Sequence, residues 1–83
     1  MFFVYILKSH KNKSFYIGSC KNLECRFKLH NNGLVKSTKR YAPWAIIYGE
    51  SFYNSKDARK RELQIKSWKK RERIENLIKH FKI

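Results

Sequence analysis

The 83-residue sequence is poor in the residues that mark several common classes of protein. It contains three glycines and one proline, so it resembles neither a flexible linker nor a low-complexity chain. Its two cysteines, Cys20 and Cys25, lack the Cys-x-x-Cys or histidine spacing of a zinc site. We expect both thiols to be reduced, as is usual in an intracellular protein.

Long apolar runs are also missing. The N-terminal run over residues 1–7 stops at Lys8, with no basic region before it and no small-residue cleavage site after it. These features argue against a signal peptide. No segment approaches the roughly 20 apolar residues that span a membrane. We therefore expect a cytoplasmic protein without a membrane partner.

Acidic residues are the scarcest charged class. Six Asp and Glu oppose twenty Lys and Arg, which gives a net charge of +14. Because self-repulsion on this scale destabilises a compact chain, the phosphate backbone of a nucleic acid is the natural partner. A solvated lysine-rich surface is the simpler alternative. An anionic membrane surface is less favoured, since the basic residues are spread over the whole chain.

The order of apolar segments predicts an α+β fold, and the chain has room for one domain. The predicted elements are strands over residues 2–7, 15–19 and 44–53, helices over 23–32 and from a cap at Asn54 or Ser55 to about 68, and a third helix carrying Ile74, Leu77, Ile78 and Phe81. Asn22 is the expected N-cap of the first helix and Gly33 its expected stop. The pattern favours helices packed on a small three-stranded antiparallel sheet.

The first predicted helix carries polar side chains at core positions. Arg26 and His30 are one turn apart and fall inside the apolar arc between Leu29 and Leu23. An Arg–His pair that faces the sheet is costly unless a partner or a ligand satisfies it. The alternative is an arginine that reaches solvent and a histidine bound to a backbone carbonyl.

The second predicted helix places Glu62 in its apolar arc. The core positions of this helix are Ala58, Ile65 and Trp68. One explanation is a salt bridge with a nearby basic residue, for which the candidates are Arg26, Arg59 and Lys66. The other is a hard-cation ligand, because Mg²⁺ often takes one or two carboxylates and completes its shell with water and substrate phosphate.

Two tyrosines complete the set of candidate residues. Tyr5 and Tyr16 lie on the neighbouring strands of the predicted hairpin, and Gly18 follows Tyr16. The triplets Phe3-Val4-Tyr5 and Tyr16-Ile17-Gly18 resemble the signature of the GIY-YIG nucleases. The similarity continues through Asn22-Leu23, Arg26, His30-Asn31, Ser37-Thr38, Pro43-Trp44, Tyr48 and Arg61-Glu62.

The resemblance is strongest to the small stand-alone bacterial, UPF0213-like members and implies one GIY-YIG-like nuclease domain over residues 1–83. It implies a site that cleaves phosphodiester bonds with one divalent cation, Mg²⁺ or Mn²⁺. Tyr5 and Tyr16 would be the catalytic tyrosines, with Tyr16 our choice for receiving the proton of the attacking water. Arg26 would stabilise the transition state, His30 would support the tyrosines, and Glu62 would hold the metal. DNA repair is a setting that the resemblance suggests.

Three positions depart from the family pattern. Phe3 stands where the name motif has glycine, as is common in the small members. Ser19 stands where the repair-incision members carry lysine, so His30 or Lys21 would have to assist the tyrosine. Asn76 is the only candidate for the asparagine that many members place in the C-terminal helices.

The basic loop after the first helix predicts contacts to nucleic acid. Lys36, Lys39 and Arg40 supply the charge. Tyr41 and Trp44 would stack on unpaired bases, unless Trp44 packs in the core. We predict a metal-dependent DNA endonuclease without an organic cofactor. Single-stranded or branched DNA is the favoured substrate, with RNA left open. The alternative is a non-catalytic nucleic-acid-binding module on the same scaffold.

Overall fold

The structure is a computed structural model that describes residues 1–79. Its strands are β1 (Phe2–Ser9), β2 (Phe15–Cys20) and β3 (Trp44–Phe52), and its helices are α1 (Leu23–Asn31), α2 (Ser55–Lys66) and α3 (Arg71–Lys79). Phe81, which was assigned to the third helix, lies outside the described residues. Within this part of the chain, no helix is long and apolar enough to cross a membrane.

The three strands form one antiparallel sheet in the order β2-β1-β3. The central strand β1 is the segment that is apolar on both faces, which suits a strand covered on both sides. Tyr5 pairs with Gly18 on one side and with Gly49 on the other. The pairing with β3 is interrupted between Ile6 and Leu7. The predicted α+β architecture is confirmed.

Each face of the sheet carries its own core, because side chains alternate along a strand. On one face, Tyr5, Leu7 and Trp44 pack beneath α1. On the other face, a larger core joins the sheet to α2 and α3 and contains Val4, Ile6, Ile17, Tyr48, Ala58, Ile65 and Ile74. Side chains on the two faces are therefore packed against different helices.

Asparagine side chains fix the starts of two helices. Asn22 accepts a hydrogen bond from the Cys25 N–H at 2.9 Å, and Asn54 accepts one from the Asp57 N–H at 2.8 Å. Each bond satisfies one of the free amides in the first turn, so α1 and α2 begin where the caps place them. Helix α1 ends at Asn31, and Gly33 adopts the left-handed φ of 72° that glycine tolerates.

The basic loop between α1 and β3 is more ordered than the sequence indicates. It contains a short 3-10 helix over Lys39–Tyr41. Thr38 is buried, and its carbonyl accepts a 2.9 Å hydrogen bond from the Trp44 indole. The Ser9 hydroxyl donates to the Tyr41 carbonyl at 2.6 Å. These bonds tie the loop to the sheet near the candidate site.

Candidate active site

Tyr5, Tyr16 and His30 meet on the face of the sheet that α1 covers. The ring centroids of the two tyrosines are 6.4 Å apart, and the His30 ring lies 5.0 Å from that of Tyr16 and 5.8 Å from that of Tyr5. Tyr5 and His30 are buried, whereas Tyr16 is half-buried. Together with Thr38, these residues are called the tyrosine cluster.

A chain of hydrogen bonds runs through this cluster. Tyr5 Oη lies 2.9 Å from His30 Nε2, and His30 Nδ1 lies 2.6 Å from Thr38 Oγ1. The Thr38 hydroxyl in turn donates to the Val35 carbonyl at 3.4 Å. With the histidine hydrogen on Nδ1, each of the three donors has an acceptor, since Nε2 then accepts from the Tyr5 phenol. This assignment follows from the bonding pattern, which makes Tyr5 a donor to the protein.

The environment keeps this pair neutral. Burial lowers the pKa of the His30 imidazole below its ordinary value, and the positive charge of Arg26 lowers it further. Burial also raises the pKa of the Tyr5 phenol, with further contributions from Tyr16 and Cys20. A neutral imidazole can accept a proton, and a phenol with a raised pKa keeps its own.

Gly18 explains how the Tyr5 ring reaches this position. A β-carbon at residue 18 would lie 2.5 Å from the Tyr5 hydroxyl oxygen and 2.7 Å from Cζ. Such contacts are shorter than atoms tolerate, so the ring packs directly on the backbone of β2 only because residue 18 has no side chain. The glycine of the Tyr16-Ile17-Gly18 triplet is thus a packing requirement of the cluster.

Arg26 departs from the sequence-based prediction. His30 is fully buried, but Arg26, one turn earlier on α1, is exposed, so the prediction that both face the sheet is wrong for the arginine. A guanidinium stays hydrated unless it is paired, and its long side chain reaches solvent from this position. Its charge still acts on the cluster: after the larger effect of burial, it opposes the rise in the pKa of Tyr5.

Glu62 is buried, with 3% of its surface exposed, and both of its carboxylate oxygens are bound. Oε1 accepts from the Ser19 hydroxyl at 2.6 Å and from Arg59 at 3.2 Å, while Oε2 accepts from Lys66 Nζ at 2.6 Å. These four residues are called the glutamate cluster. The salt bridge considered as an alternative is therefore present, with Arg59 and Lys66 as the partners.

The balance of forces keeps Glu62 ionised. Burial by itself raises the pKa of this carboxyl, but the hydrogen bonds from Lys66 and Ser19 and the charges of Lys66 and Arg59 outweigh it. The net result is a pKa below the ordinary value of 4.5. A carboxylate that is ionised at neutral pH thus lies inside a protein of net charge +14.

The two clusters lie on opposite faces of the sheet. Gly18 lies beneath the Tyr5 ring, so the next residue of β2, Ser19, points to the other face and contacts Glu62. Glu62 therefore does not face the tyrosines directly. Strand β2 is an edge strand, and the charge of Glu62 still contributes to the raised pKa of Tyr5. The two halves of the candidate site thus contact adjacent residues of this edge strand, Gly18 and Ser19, from opposite faces.

Glu62 fits a metal site of one particular kind. Within residues 1–79, no three His, Cys, Asp or Glu side chains are grouped as a metal cage would require. A single buried carboxylate with a neighbouring hydroxyl suits a hard cation that takes its other ligands from water and substrate phosphate. Such a cation would have to share or replace the basic partners of Glu62.

Tyr48 and Arg61 support the helix that carries Glu62. The Tyr48 hydroxyl donates to Glu50 Oε2 at 2.6 Å, and Arg61 Nε donates to the same oxygen at 3.1 Å. This network joins α2 to β3 through Arg61, the residue immediately before Glu62. It accounts for two of the residues that carry the family resemblance without placing them in the site.

The predicted nucleic-acid contacts fall into two groups. Lys36, Lys39 and Arg40 are exposed, and Tyr41 is half-buried, with the Arg40 guanidinium 5.8 Å from its ring centroid. Trp44 is only 4% exposed, and its indole nitrogen is bound to Thr38. The prediction that Trp44 stacks on bases is therefore wrong, because the ring belongs to the core beneath α1.

Sequence reasoning missed the partners that position the site. Thr38 and Ser19 bind His30 and Glu62, and the Asn31 side chain accepts from the Trp44 amide at 2.6 Å. Thr38 and Asn31 both lie within the resemblance, which was the one signal available for them. Asn76, by contrast, is exposed on α3, and Lys21 is exposed after β2.

Comparisons with known proteins identify the family and agree with the fold. Residues 1–76 match the model of the GIY-YIG catalytic domain. The chain is 41% identical to a UPF0213 protein of Clostridium perfringens, over 90% of this chain and 81% of the relative. It is 36% identical to a UPF0213 protein of Staphylococcus haemolyticus, over 87% and 88%. The solution NMR structure of a UPF0213 protein from Bacillus halodurans is similar, with a TM-score of 0.61 and 28% identity over 95% of this chain and 84% of that one.

Proposed function

Since the chain belongs to the GIY-YIG family, among relatives of the UPF0213 group, we propose that it is a metal-dependent endonuclease that hydrolyses DNA phosphodiester bonds. The observation that carries this proposal is the pairing of two clusters around the edge of β2. One contains Tyr5 bound to His30, and the other contains the buried carboxylate of Glu62. A module that only bound nucleic acid would have no need of a buried carboxylate beside a phosphate-binding surface.

The side chains of the tyrosine cluster suit different tasks in this reaction. Tyr16 is half-buried and is our choice for the group that receives the proton of the attacking water, for which its phenol must first lose its own proton to solvent. Tyr5 donates to His30, so its oxygen remains able to accept a hydrogen bond from that water and to orient it. This division of labour follows from the raised pKa of Tyr5, whose main cause is burial.

Arg26 is the proposed stabiliser of the transition state. Its guanidinium is exposed, always charged and fork-shaped, so it can bind two oxygens of a phosphoryl group as their charge increases. Its position on α1, one turn before His30, supports this role, as does the contribution of its charge to the lowered pKa of His30, after the larger effect of burial. Because its side chain is exposed, Arg26 contributes little to the packing of the protein.

Glu62 would hold the divalent cation, with Ser19 beside it. A cation bound there supplies Lewis-acid stabilisation of the leaving oxygen. The task of the chain is to keep the carboxylate ionised and fixed, and its lowered pKa serves that task.

The proposed substrate is single-stranded or branched DNA. The basic loop offers Lys36, Lys39 and Arg40 to the phosphate backbone and Tyr41 to an unpaired base. With Trp44 in the core, Tyr41 is the remaining aromatic ring of this surface. We propose that the matched region acts as one nuclease domain.

The experiment compares cleavage of single-stranded, duplex and branched DNA, and of RNA, by the purified protein with Mg²⁺, Mn²⁺ or EDTA. Glu62→Gln, Tyr16→Phe and Arg26→Ala are tested beside it, with Lys28→Ala as the control from the exposed surface of α1. We expect metal-dependent cleavage by the wild type and by Lys28→Ala, and a loss of roughly 10²-fold or more in each of the other three.

Two results would contradict the proposal. Cleavage that persists in EDTA and in Glu62→Gln would exclude the metal role of Glu62. Tight binding without cleavage of any of these substrates would instead favour the non-catalytic binding module.

A further inference from the structure

The cations that neutralise Glu62 in the glutamate cluster are basic side chains of the protein itself. Lys66 Nζ lies 2.6 Å from Glu62 Oε2, and Arg59 lies 3.2 and 3.3 Å from the two carboxylate oxygens. Lys66 and Arg59 thus contact the carboxylate oxygens that a divalent ion would need. Among residues 1–79, the Ser19 hydroxyl is the one neutral side chain that binds the carboxylate.

The partners of Glu62 differ in how easily they can leave. The Glu62 side chain is 4% exposed, whereas that of Lys66 is 43% exposed and that of Arg59 62% exposed. A buried carboxylate without a cation is costly, so Glu62 requires one at all times. A half-exposed ammonium can be rehydrated when it leaves, but only another anion replaces the charge contact that it loses. Both basic partners can therefore be exchanged for another cation while the glutamate stays in place, and Lys66 is the partner whose contact is confined to Oε2.

We propose that Lys66 is a substrate-binding residue that neutralises Glu62 in the free protein and moves to a phosphate of the nucleic acid when a divalent cation binds. This inference rests on the proposed function. A phosphate is an anion that can replace the Glu62 carboxylate as the partner of Lys66. Lys69 and Lys70, in the segment between α2 and α3, add positive charge a few residues later in the sequence. The carboxylate oxygen that Lys66 leaves becomes available to the metal.

The exchange couples two binding events. In the absence of nucleic acid, the metal must displace Lys66 without any compensating contact, so metal binding is weak. In its presence, Lys66 gains a phosphate as it loses Glu62, so metal binding is tighter. By thermodynamic reciprocity, the metal strengthens the binding of nucleic acid by the same factor. The free protein would therefore hold little metal until substrate arrives.

The test measures Mn²⁺ affinity from the electron paramagnetic resonance signal of free Mn²⁺, with and without a short single-stranded oligonucleotide. The Tyr16→Phe background is used throughout to slow cleavage. We expect the oligonucleotide to lower the Kd for Mn²⁺ about tenfold in the otherwise unchanged protein. In Lys66→Met, the Kd without oligonucleotide should already be about tenfold lower, and the oligonucleotide should have little further effect.

Lys60→Met is the matched control, because Lys60 is an exposed lysine of the same helix and its loss changes the net charge equally. This variant should keep the coupling of the parent protein. An equal gain in Mn²⁺ affinity in Lys60→Met would mean that the effect is general charge repulsion, which would overturn the proposal. An unchanged Kd in Lys66→Met would overturn it as well.

A second measurement keeps the proposal testable if Lys66→Met folds poorly. NMR of the lysine ammonium groups in the otherwise unchanged protein should give a protected Lys66 signal that shifts when Mg²⁺ and oligonucleotide are added together. A Lys66 signal that never changes would contradict the exchange. If neither the parent protein nor Lys66→Met binds Mn²⁺ under any condition, the metal role in the proposed function fails. If cleavage depends on metal but the oligonucleotide does not change the Kd for Mn²⁺, the proposed exchange of Lys66 fails and the proposed function stands.

Discussion

The tyrosine cluster packs on Gly18 and the glutamate cluster includes Ser19, the next residue of β2, yet the two clusters are stabilised in different ways. In the tyrosine cluster, neutral groups form a single chain of hydrogen bonds from Tyr5 through His30 to Thr38, all of it buried. In the glutamate cluster, one buried charge is held by two partly exposed basic side chains. The tyrosine cluster is stable because each hydrogen-bond donor in its chain has an acceptor. The glutamate cluster is stable because two basic side chains neutralise Glu62.

This difference decides what a variant can reveal. Removing a member of a buried hydrogen-bonded chain leaves its neighbour unsatisfied, so stability and activity change together. Removing an exposed cation leaves a carboxylate that still has other partners, so stability changes little. Changes to exposed residues therefore separate the reaction from the fold, whereas changes to the buried chain do not.

The largest effect is expected for Arg26, the exposed residue next to the tyrosine cluster. Arg26→Ala should lower the single-turnover cleavage rate by roughly 10²–10³-fold, because a donor to the transition state is lost. The free energy of unfolding in urea should change by no more than about 0.5 kcal/mol. Lys28→Ala should change neither quantity. A large loss of stability in Arg26→Ala would contradict its assignment to the reaction alone.

Thr38→Val tests the buried chain itself. The substitution removes the acceptor of the His30 Nδ1–H while keeping the volume of the side chain, so we expect a loss of about 1–3 kcal/mol in the free energy of unfolding. Thr38→Ser keeps the hydroxyl and should lose about 1 kcal/mol or less. Equal losses in the two variants would show that packing, and not the hydrogen bond, is what Thr38 provides.

The pH dependence of stability tests whether His30 is buried as a neutral ring. Its pKa in the folded protein is lowered from 6.5, mainly by burial, so the unfolded chain binds a proton that the folded chain does not. Stability is therefore fully present above pH 6.5 and decreases as the pH falls below it, by at most about 1.4 kcal/mol per pH unit.

Urea denaturation as a function of pH measures this slope. The exposed His10 provides the control, since His10→Asn should keep the slope and His30→Asn should remove it. If His30→Asn does not fold, titration of the His30 ring by NMR should give a pKa below 6.5. A pKa above that value would contradict the neutral chain.

The smallest effect is expected for Arg59, the more exposed partner of Glu62. Arg59→Ala should reduce the free energy of unfolding by about 1 kcal/mol at most, because Lys66 and Ser19 still bind the carboxylate. Lys56→Ala, at another exposed position of α2, is the reference. A loss above about 2 kcal/mol would mean that the glutamate cluster is as sensitive to the removal of one partner as the tyrosine cluster.

Much of this organisation could be predicted because it depends on local pattern. The hairpin, the caps at Asn22 and Asn54 and the buried positions of His30 and Glu62 follow from periodicity and from residues a few positions apart. The same reasoning failed at Arg26 and Trp44. Periodicity locates a face of a helix but does not determine whether a long side chain bends to solvent, or which of two roles a large ring adopts.

The partners of the site residues could not be predicted, because they come from distant parts of the chain. Ser19 and Glu62 are 43 positions apart, and Tyr5 and His30 are 25 apart. Thr38 reaches His30 from within the basic loop, where its neighbours suggest only a solvated surface. Hydrogen bonds of this kind depend on how helices and loops pack on the sheet, which no local pattern specifies.

The contact between Gly18 and Tyr5 also gives the protein a spectroscopic reporter. One α-hydrogen of Gly18 occupies the direction of the absent β-carbon, which would be 2.5 Å from the Tyr5 hydroxyl oxygen. The aromatic ring should therefore make the chemical shifts of the two α-hydrogens of this residue unequal. The chain has only three glycines, so these signals can be resolved and followed. Any ligand or substitution that moves the Tyr5 ring should change the difference between the chemical shifts of these two hydrogens, even where no catalysis is measured.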